Sequence, residues 1–322
     1  MKILFTSTLI TPFIQEDLNF LQKHFKTRYL RTTGLSTIFL MKLELLRSSL
    51  SFTWFASVYA GILVFLGRMF RRPSVVVVGG VDVANRPDAG YGIWVNPWKR
   101  YFARYALRYA SKVLVVDPFL AEEAIKRAQY DGANIECVPT GYDSERWKAT
   151  GNKQKTVVTV AACLTRERLK VKGVDFLFEV ANELPEIEFT LIGVARDLIQ
   201  GDIPKNVRIV GLVPQDQLLG YFQQAKVYCQ PSMVEGLPNA VCEAMLCECI
   251  PVATDVGGTK RAVGSSGFLV EYRERRKMKE ALVKALDSPL TLGASARQHV
   301  AQQFPLSKRH ESLLRVIQEV LR

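Results

Sequence analysis

Two glutamates eight positions apart, Glu235 and Glu243, stand in the chain's densest run of polar and conformationally special residues, QPSMVEGLPNAVCEAMLCECIP, from Gln230 to Pro251. A short apolar strand over 226–229 runs into Pro231 and Ser232, Gly236 frees the backbone, and Pro238 suits the first turn of a helix over 238–247. Gly236, Leu237, Pro238 and Asn239 therefore lie near a helix N-terminus, where free amides attract phosphate or polarised hydroxyl groups. Carboxylates, in turn, accept hydrogen bonds from sugar hydroxyls. Glu235 in the loop and Glu243 inside the helix are placed to hold two parts of one ligand. Taken singly, the first also reads as a solvated loop acid and the second as a capping or salt-bridged residue. Upstream, Arg166, Arg168, Lys170 and Lys172 precede Gly173 and a second helix start. Lys172 is placed either to meet an anion there or to lie in solvent, as members of charge runs usually do.

The 230–258 stretch resembles the Glu-x7-Glu motif of glycosyltransferase family 4, whose members have the GT-B fold. The usual form is pS-x-x-EG-x-pna-x-x-EAM-x-x-G-x-PV-x-t-x-x-GG. Ser232, Glu235, Gly236, Pro238, Asn239, Ala240, Glu243, Ala244, Met245, Pro251, Val252, Thr254, Gly257 and Gly258 all fall on it. VTVAACLTRERLKVKGVDFLFEVANELPEIEFTLIG is similar to the same family's first strand of the nucleotide-sugar domain, diphosphate loop and following helix. The resemblance spans residues 156–271 and continues more loosely through VVVVGGVDVANRPDAGYG and VPTGYD. It implies transfer of a sugar from a nucleotide diphosphate with retention of anomeric configuration, without metal or other cofactor. The acceptor would be a lipid-linked molecule or a saccharide of polysaccharide biosynthesis. By the same resemblance Glu243 binds the ribose, Glu235 and the 236–239 loop the donor sugar, and Lys172 the diphosphate. The chemistry asks for these types: as the sugar-to-phosphate bond breaks, positive charge grows on the sugar and negative charge on the departing diphosphate, which a fixed cation stabilises.

The chain departs from the family pattern in four places. Ala162 and Cys163 occupy the usual Gly-Arg pair, leaving Arg168 as the substitute cation, and Glu248 stands where a glycine is common. Thr259 and Lys260 displace a common glutamate after the two glycines. No histidine follows the fourth strand of the first domain, where the chain reads Gly79, Gly80, Val81, Asp82, so Asp82 becomes the ionisable candidate to face the acceptor, or else an ordinary turn-forming aspartate. His24, His299 and His310 fall in helices and read as surface or core residues. These departures keep open a catalytically silent GT-B subunit that binds nucleotide or a partner enzyme, and, less favoured, a nucleotide-sugar epimerase.

The elements that must position these residues alternate. Strands are expected at 2–6, 75–79, 112–116, 135–138, 156–161, 187–192, 207–210, 226–229 and 250–253, and helices at 16–25, 97–110, 119–130, 174–183, 215–224 and 238–247, after which the chain reads as helical to its end. The polar stretch 141–155 is the linker. The expected architecture is α/β: two Rossmann-like doubly wound domains, 1–148 for the acceptor and 149–304 for the nucleotide sugar, facing across a cleft. The stripe Leu313, Leu314, Ile317, Val320 and Leu321 makes 305–322 a helix returning to the first domain.

At 322 residues with 48% hydrophobic side chains, the chain is globular and too long for one ordinary core. Six scattered cysteines fit a reducing compartment, and the first ten residues read as a strand rather than a secretory leader, so the expected location is cytoplasmic. No Asp-x-Asp occurs, and Cys242, Cys247 and Cys249 lack zinc-ligand spacing, so no metal is expected. Of the net charge of +12, +11 lies in residues 1–112. No nucleic-acid-binding motif accompanies it, and a phosphorylated ligand or an anionic membrane surface fits better. Arg100, Arg104, Arg108 and Lys112 recur every fourth residue beside Trp98, Tyr101, Phe102, Tyr105 and Tyr109. That pattern suits a helix settling on the cytoplasmic face of a membrane, or an ordinary amphipathic helix. The uncharged run Ser48–Gly67 has the length of a membrane span, yet its serines and the following SVVVVGG favour a buried strand, helix and central strand. Ile38–Leu46 is a second apolar candidate surface, reading more as core.

Overall fold

The computed structural model describes residues 1–322 except Gly151 and Leu164. The chain divides into two compact units, Met1–Gly141 together with Leu306–Arg322, and Tyr142–Pro305. Residues 142–148, assigned from the sequence to the first domain, cluster with the second. Gly151, one of the two glycines of the polar linker, lies outside the described residues.

In the first unit the strands are β1 (Lys2–Ser7), β2 (Lys26–Arg31), β3 (Leu50–Trp54), β4 (Ser74–Val78), β5 (Lys112–Val115) and β6 (Ile135–Cys137), all parallel in the order β2-β1-β3-β4-β5-β6. The helices α1 (Pro12–His24), α2 (Ser36–Leu46), α3 (Val58–Met69), α4 (Pro97–Tyr109) and α5 (Pro118–Ala128) connect them. β4 reads SVVVV and is buried at all five positions, as a central parallel strand covered on both faces must be. The uncharged run at 48–67 resolves into β3 and α3, and among the described residues no helix is long and apolar enough to cross a membrane. β2 is absent from the sequence expectation because KTRYLR is largely polar, without the apolar alternation that marks a strand, and sits at the sheet edge. The apolar run at 38–46 is core on one face only: Met41 and Leu45 are buried, while Phe39 and Leu40 are exposed.

The second unit repeats the plan with β7 (Gln154–Cys163), β8 (Phe189–Val194), β9 (Val207–Val210), β10 (Ala225–Gln230), β11 (Ile250–Thr254) and β12 (Phe268–Val270), ordered β12-β11-β10-β7-β8-β9. Its helices are α6 (Arg166–Val171), α7 (Val174–Asn182), α8 (Gln215–Gln224), α9 (Asn239–Leu246), α10 (Thr259–Val263), α11 (Arg275–Asp287) and α12 (Leu290–Gln303). β12 corrects the expectation of an all-helical end; it is a three-residue edge strand, too short to show a period. Strand order reverses between β7 and β10, and ligands of such sheets bind beyond the strand ends at that switch point.

Candidate functional site

The β7/β10 switch point is where the sequence candidates meet. The turn after α6 carries Lys172 and Gly173, and the loop after β10 carries Pro231 to Pro238. Met233 N–H donates to Val171 O at 2.7 Å. Gly173 sits at φ +67°, and a Cβ there would lie 2.0 Å from Pro231 O, so only glycine permits the contact. This docking brings Lys172 Nζ within 2.6 Å of Glu235 Oε1. Gln230 Nε2 donates to the same oxygen at 2.7 Å and to Ser232 Oγ at 2.6 Å, while Tyr228 OH donates to Gln230 Oε1 at 2.6 Å. Glu235 is buried at 9% exposure and is held by a fixed chain of donors. The loop before α10 closes over it from above: a Cβ on Gly257, at φ +55°, would meet Glu235 O at 1.9 Å, and Gly258 N–H donates to Gly236 O.

Glu243 lies inside α9 as expected, half-buried among closely packed groups. Burial pushes its carboxyl up to about 8, against a smaller downward pull from the Arg146 cation. Asn239 opens the helix and accepts a hydrogen bond from Tyr142 OH at 2.8 Å. Leu237 is buried, and Pro238 occupies the cap position just before the helix rather than its first turn. Arg168 is exposed on α6. Burial pushes the Cys163 thiol up to about 11, with Lys172 and Arg168 lowering it and Glu235 raising it, which sets all four groups in one neighbourhood at the end of β7.

Residues 154–288 match the family described as Glycosyl transferases group 1. That match lies wholly within the second unit. The whole chain also shares the GT-B fold: it superposes on Anabaena HepE in complex with UDP-glucose with a TM-score of 0.80 at 16% identity, covering 99% of this chain and 100% of that one. Sucrose-phosphate synthase from Thermosynechococcus elongatus gives a TM-score of 0.77 at 14% identity, covering 99% of each chain. In sequence the chain is 26% identical over 242 residues to the putative teichuronic acid biosynthesis glycosyltransferase TuaC of Bacillus subtilis, a match spanning 71% of this chain and 59% of TuaC. It is 24% identical over 220 residues to the phosphatidylinositol N-acetylglucosaminyltransferase GPI3 subunit of Saccharomyces cerevisiae, spanning 62% and 46% respectively. The matches thus span about half the length of these relatives.

The second unit explains one departure from the pattern it resembles. Glu248, where a glycine is common, has φ +64° and ends α9 with Cys249 N–H bonded to Ala244 O and Glu248 N–H to Met245 O, the helix ending that favours glycine. Glu248→Gly is expected to raise the stability of the domain by about 1 kcal/mol, because a left-handed non-glycine residue is strained. Thermal denaturation of the variant checks this, and an unchanged or lower melting temperature would show that the strain is relieved elsewhere.

The shifted Glu243 sets a pH dependence. In the folded domain it keeps, up to about pH 8, a proton that the unfolded chain releases near 4.5, so its contribution to stability is full below about 4.5 and declines as pH rises through that window. Melting curves from pH 5 to 8.5 should show the wild type losing stability more steeply than Glu243→Gln. Parallel pH slopes would mean that Glu243 is ionised throughout.

Other candidates are placed differently from the sequence reading. Asp82 has no exposed surface. Its Oδ1 accepts from Gly79 and Gly80 N–H and its Oδ2 from Ala56 and Gly79 N–H, at 2.8 to 3.2 Å. It ties the ends of β3 and β4 together instead of presenting a carboxylate to an acceptor, and burial raises its pKa against those amides. Lys112 is not on the basic helix; α4 ends at Tyr109, and Lys112 opens β5, paired with Glu136 at 3.4 Å. Arg104 is half-buried, 5.6 Å above the Trp94 ring, and donates to Arg127 O, while Arg108 donates to Gln129 O. At the start of the stripe Trp98, Lys99, Arg100 and Tyr101 are all exposed and keep the character of a free surface, whereas the exposed Arg108 is committed to a backbone carbonyl. Among the described residues no group of histidine, cysteine and carboxylate side chains could hold a metal.

Proposed function

We propose that the chain transfers a sugar, with retention, from a nucleotide diphosphate sugar to a lipid-linked or saccharide acceptor in polysaccharide biosynthesis. The observation that carries this is the Lys172–Glu235 pair at the β7/β10 switch point of a group 1 glycosyltransferase domain. Lys172 supplies the fixed cation for the departing diphosphate, with Arg168 nearby in place of the missing loop arginine. Glu235 supplies the negative charge opposite the reacting carbon, and the 236–239 loop and Glu243 hold the sugar and the ribose. None of these roles needs a metal or other cofactor. HepE is described in complexes with UDP and UDP-glucose, which makes a UDP-sugar the first donor to try. The test is a thermal-shift panel of UDP, GDP and ADP and their sugars, since a ligand at a hundred times its dissociation constant stabilises by about 2.7 kcal/mol. No shift with any of them sinks the reading, and a shift without transfer to any acceptor leaves a silent subunit.

The same reading places the protein at the cytoplasmic face of the membrane, through Trp98, Lys99, Arg100 and Tyr101 on the exposed start of α4. Sedimentation should show binding to phosphatidylglycerol vesicles, little binding to phosphatidylcholine vesicles, and release by salt. Equal binding to both lipids would remove the electrostatic part of the proposal.

A further inference from the structure

The first unit has a pocket of about 400 Å³ at the amino-terminal edge of its sheet, where β4 and β5 begin, at the opposite ends of the strands from Asp82. Arg68, Arg71, Arg72, Arg108, Ser111 and Asn134 are among its lining residues, and no carboxylate lines it. None of the four arginines forms an ion pair among the described residues, although Arg86, Arg127, Arg309 and Arg315 of the same unit all do. Four cations around one concavity repel one another unless an anion joins them.

Relief of helix dipoles accounts for part of this cluster. Arg68 and Arg108 sit in the last turns of α3 and α4, where a cation is favoured, and Arg68 also covers the Tyr109 ring at 4.9 Å. Arg71 and Arg72 lie beyond the end of α3. Arg71 has φ +52°, in the turn closed by Arg72 N–H to Gly67 O at 2.7 Å, so an arginine stands where a helix ending favours glycine. Beneath them, Ser74 and Ser111 each accept the other's backbone N–H, leaving both hydroxyl protons to donate, and Asn134 Oδ1 is buried without a partner among the described residues.

We infer that this pocket binds a phosphate ester. Planar guanidinium forks match phosphate oxygens two at a time, and the serines can add donors. A soluble glycerol phosphate and the headgroup of phosphatidylglycerol share this chemistry. The exposed Phe65 and Met69 of α3 give an apolar rim on which the second source would rest. The inference concerns the first unit alone and does not depend on sugar transfer.

The test uses the full chain with two probes, sn-glycerol 3-phosphate by titration calorimetry and phosphatidylglycerol against phosphatidylcholine vesicles by sedimentation. The variant is Arg71→Gly/Arg72→Ala; glycine is at ease at φ +52°, so the substitution removes charge without opposing the backbone. At least about tenfold weaker binding of one probe, with the melting temperature and the shift with UDP unchanged, is the expected result. Loss confined to glycerol phosphate identifies a soluble ester, and loss confined to vesicles identifies the lipid headgroup. Wild-type binding of both probes by the variant, or no binding of either probe by the wild type, overturns the inference. Should the double variant melt early, Arg71→Gly alone is read by the same criteria. Vesicle binding that survives in the variant together with unchanged glycerol phosphate binding would remove the pocket while leaving attachment through α4 intact, and loss of transfer alone would touch only the donor site.

Discussion

Glu235→Gln is expected to lower the rate at saturating donor by about a hundredfold or more, while nucleotide diphosphate affinity is kept or strengthened. In the free protein Glu235 neutralises Lys172 at 2.6 Å, and both side chains are largely withdrawn from solvent. Before Lys172 can turn to a diphosphate, that ion pair must be loosened. The amide variant keeps the shape and removes the charge, so the lysine is freed for the phosphates, but the group that would oppose positive charge on the sugar is gone. A carboxylate acting where charge develops, as proposed for Glu235, would place the loss in kcat. If Glu243 holds the ribose as proposed, in ground state and transition state alike, Glu243→Gln should mainly raise KM for the donor. Lys172→Ala should weaken nucleotide binding and slow turnover together, while leaving Glu235 without its cation. Steady-state kinetics with separate determination of kcat and KM decides. Full turnover by Glu235→Gln with normal nucleotide affinity would make Glu235 a loop residue that only orders the start of α9.

The sequence carried the site's parts but not their pairing. Glu235, Gly236 and Glu243 were legible because short-range geometry fixes them: a strand end, a glycine turn and a helix start follow one another within one βα unit. The contact between Lys172 and Glu235 was not, because the two stand 63 positions apart with three strands between them, and only the strand order that sets β7 beside β10 makes them neighbours. Periodicity found the buried strands well, since apolar runs between helices have few other readings. It missed β2, a largely polar edge strand, and β12, an edge strand of three residues that is too short to show a period. Lys112 shows the opposite failure, a four-residue spacing that runs past the helix end at Tyr109 into a strand. Asp82 was legible as a turn former or an acid at a strand end; only the three amides around it choose the former. Glu248 departs from a family glycine for no reason visible in sequence, and its φ of +64° shows what the glycine is for.

Arg309→Ala is expected to destabilise the first unit by about 3–5 kcal/mol, because breaking a buried ion pair from one side strands the other charge. Arg309 lies in the last helix, Leu306–Leu321, and Asp17 in α1; their side chains are 2% and 0% exposed. Arg309 Nε donates to Asp17 Oδ1 at 2.6 Å and Nη2 to Oδ2 at 2.5 Å, while Nη1 reaches the carbonyls of Val138 and Pro139, each at 2.9 Å. Trp54 Nε1 donates to the same Asp17 Oδ2 at 2.9 Å, and the guanidinium lies over its ring. One side chain thus ties the end of the chain to α1, to β3 and to the segment after β6. Alanine would leave a buried carboxylate with a single donor and two carbonyls without theirs. Replacing both charges, as in Asp17→Asn/Arg309→Met, should cost less than Arg309→Ala alone, since no charge is then left unpaired. Guanidinium chloride unfolding followed by tryptophan fluorescence measures both. A loss below about 1 kcal/mol for Arg309→Ala would mean that water replaces the lost donors, and that the apolar stripe of Leu313, Val316 and Ile317 holds the last helix without the ion pair.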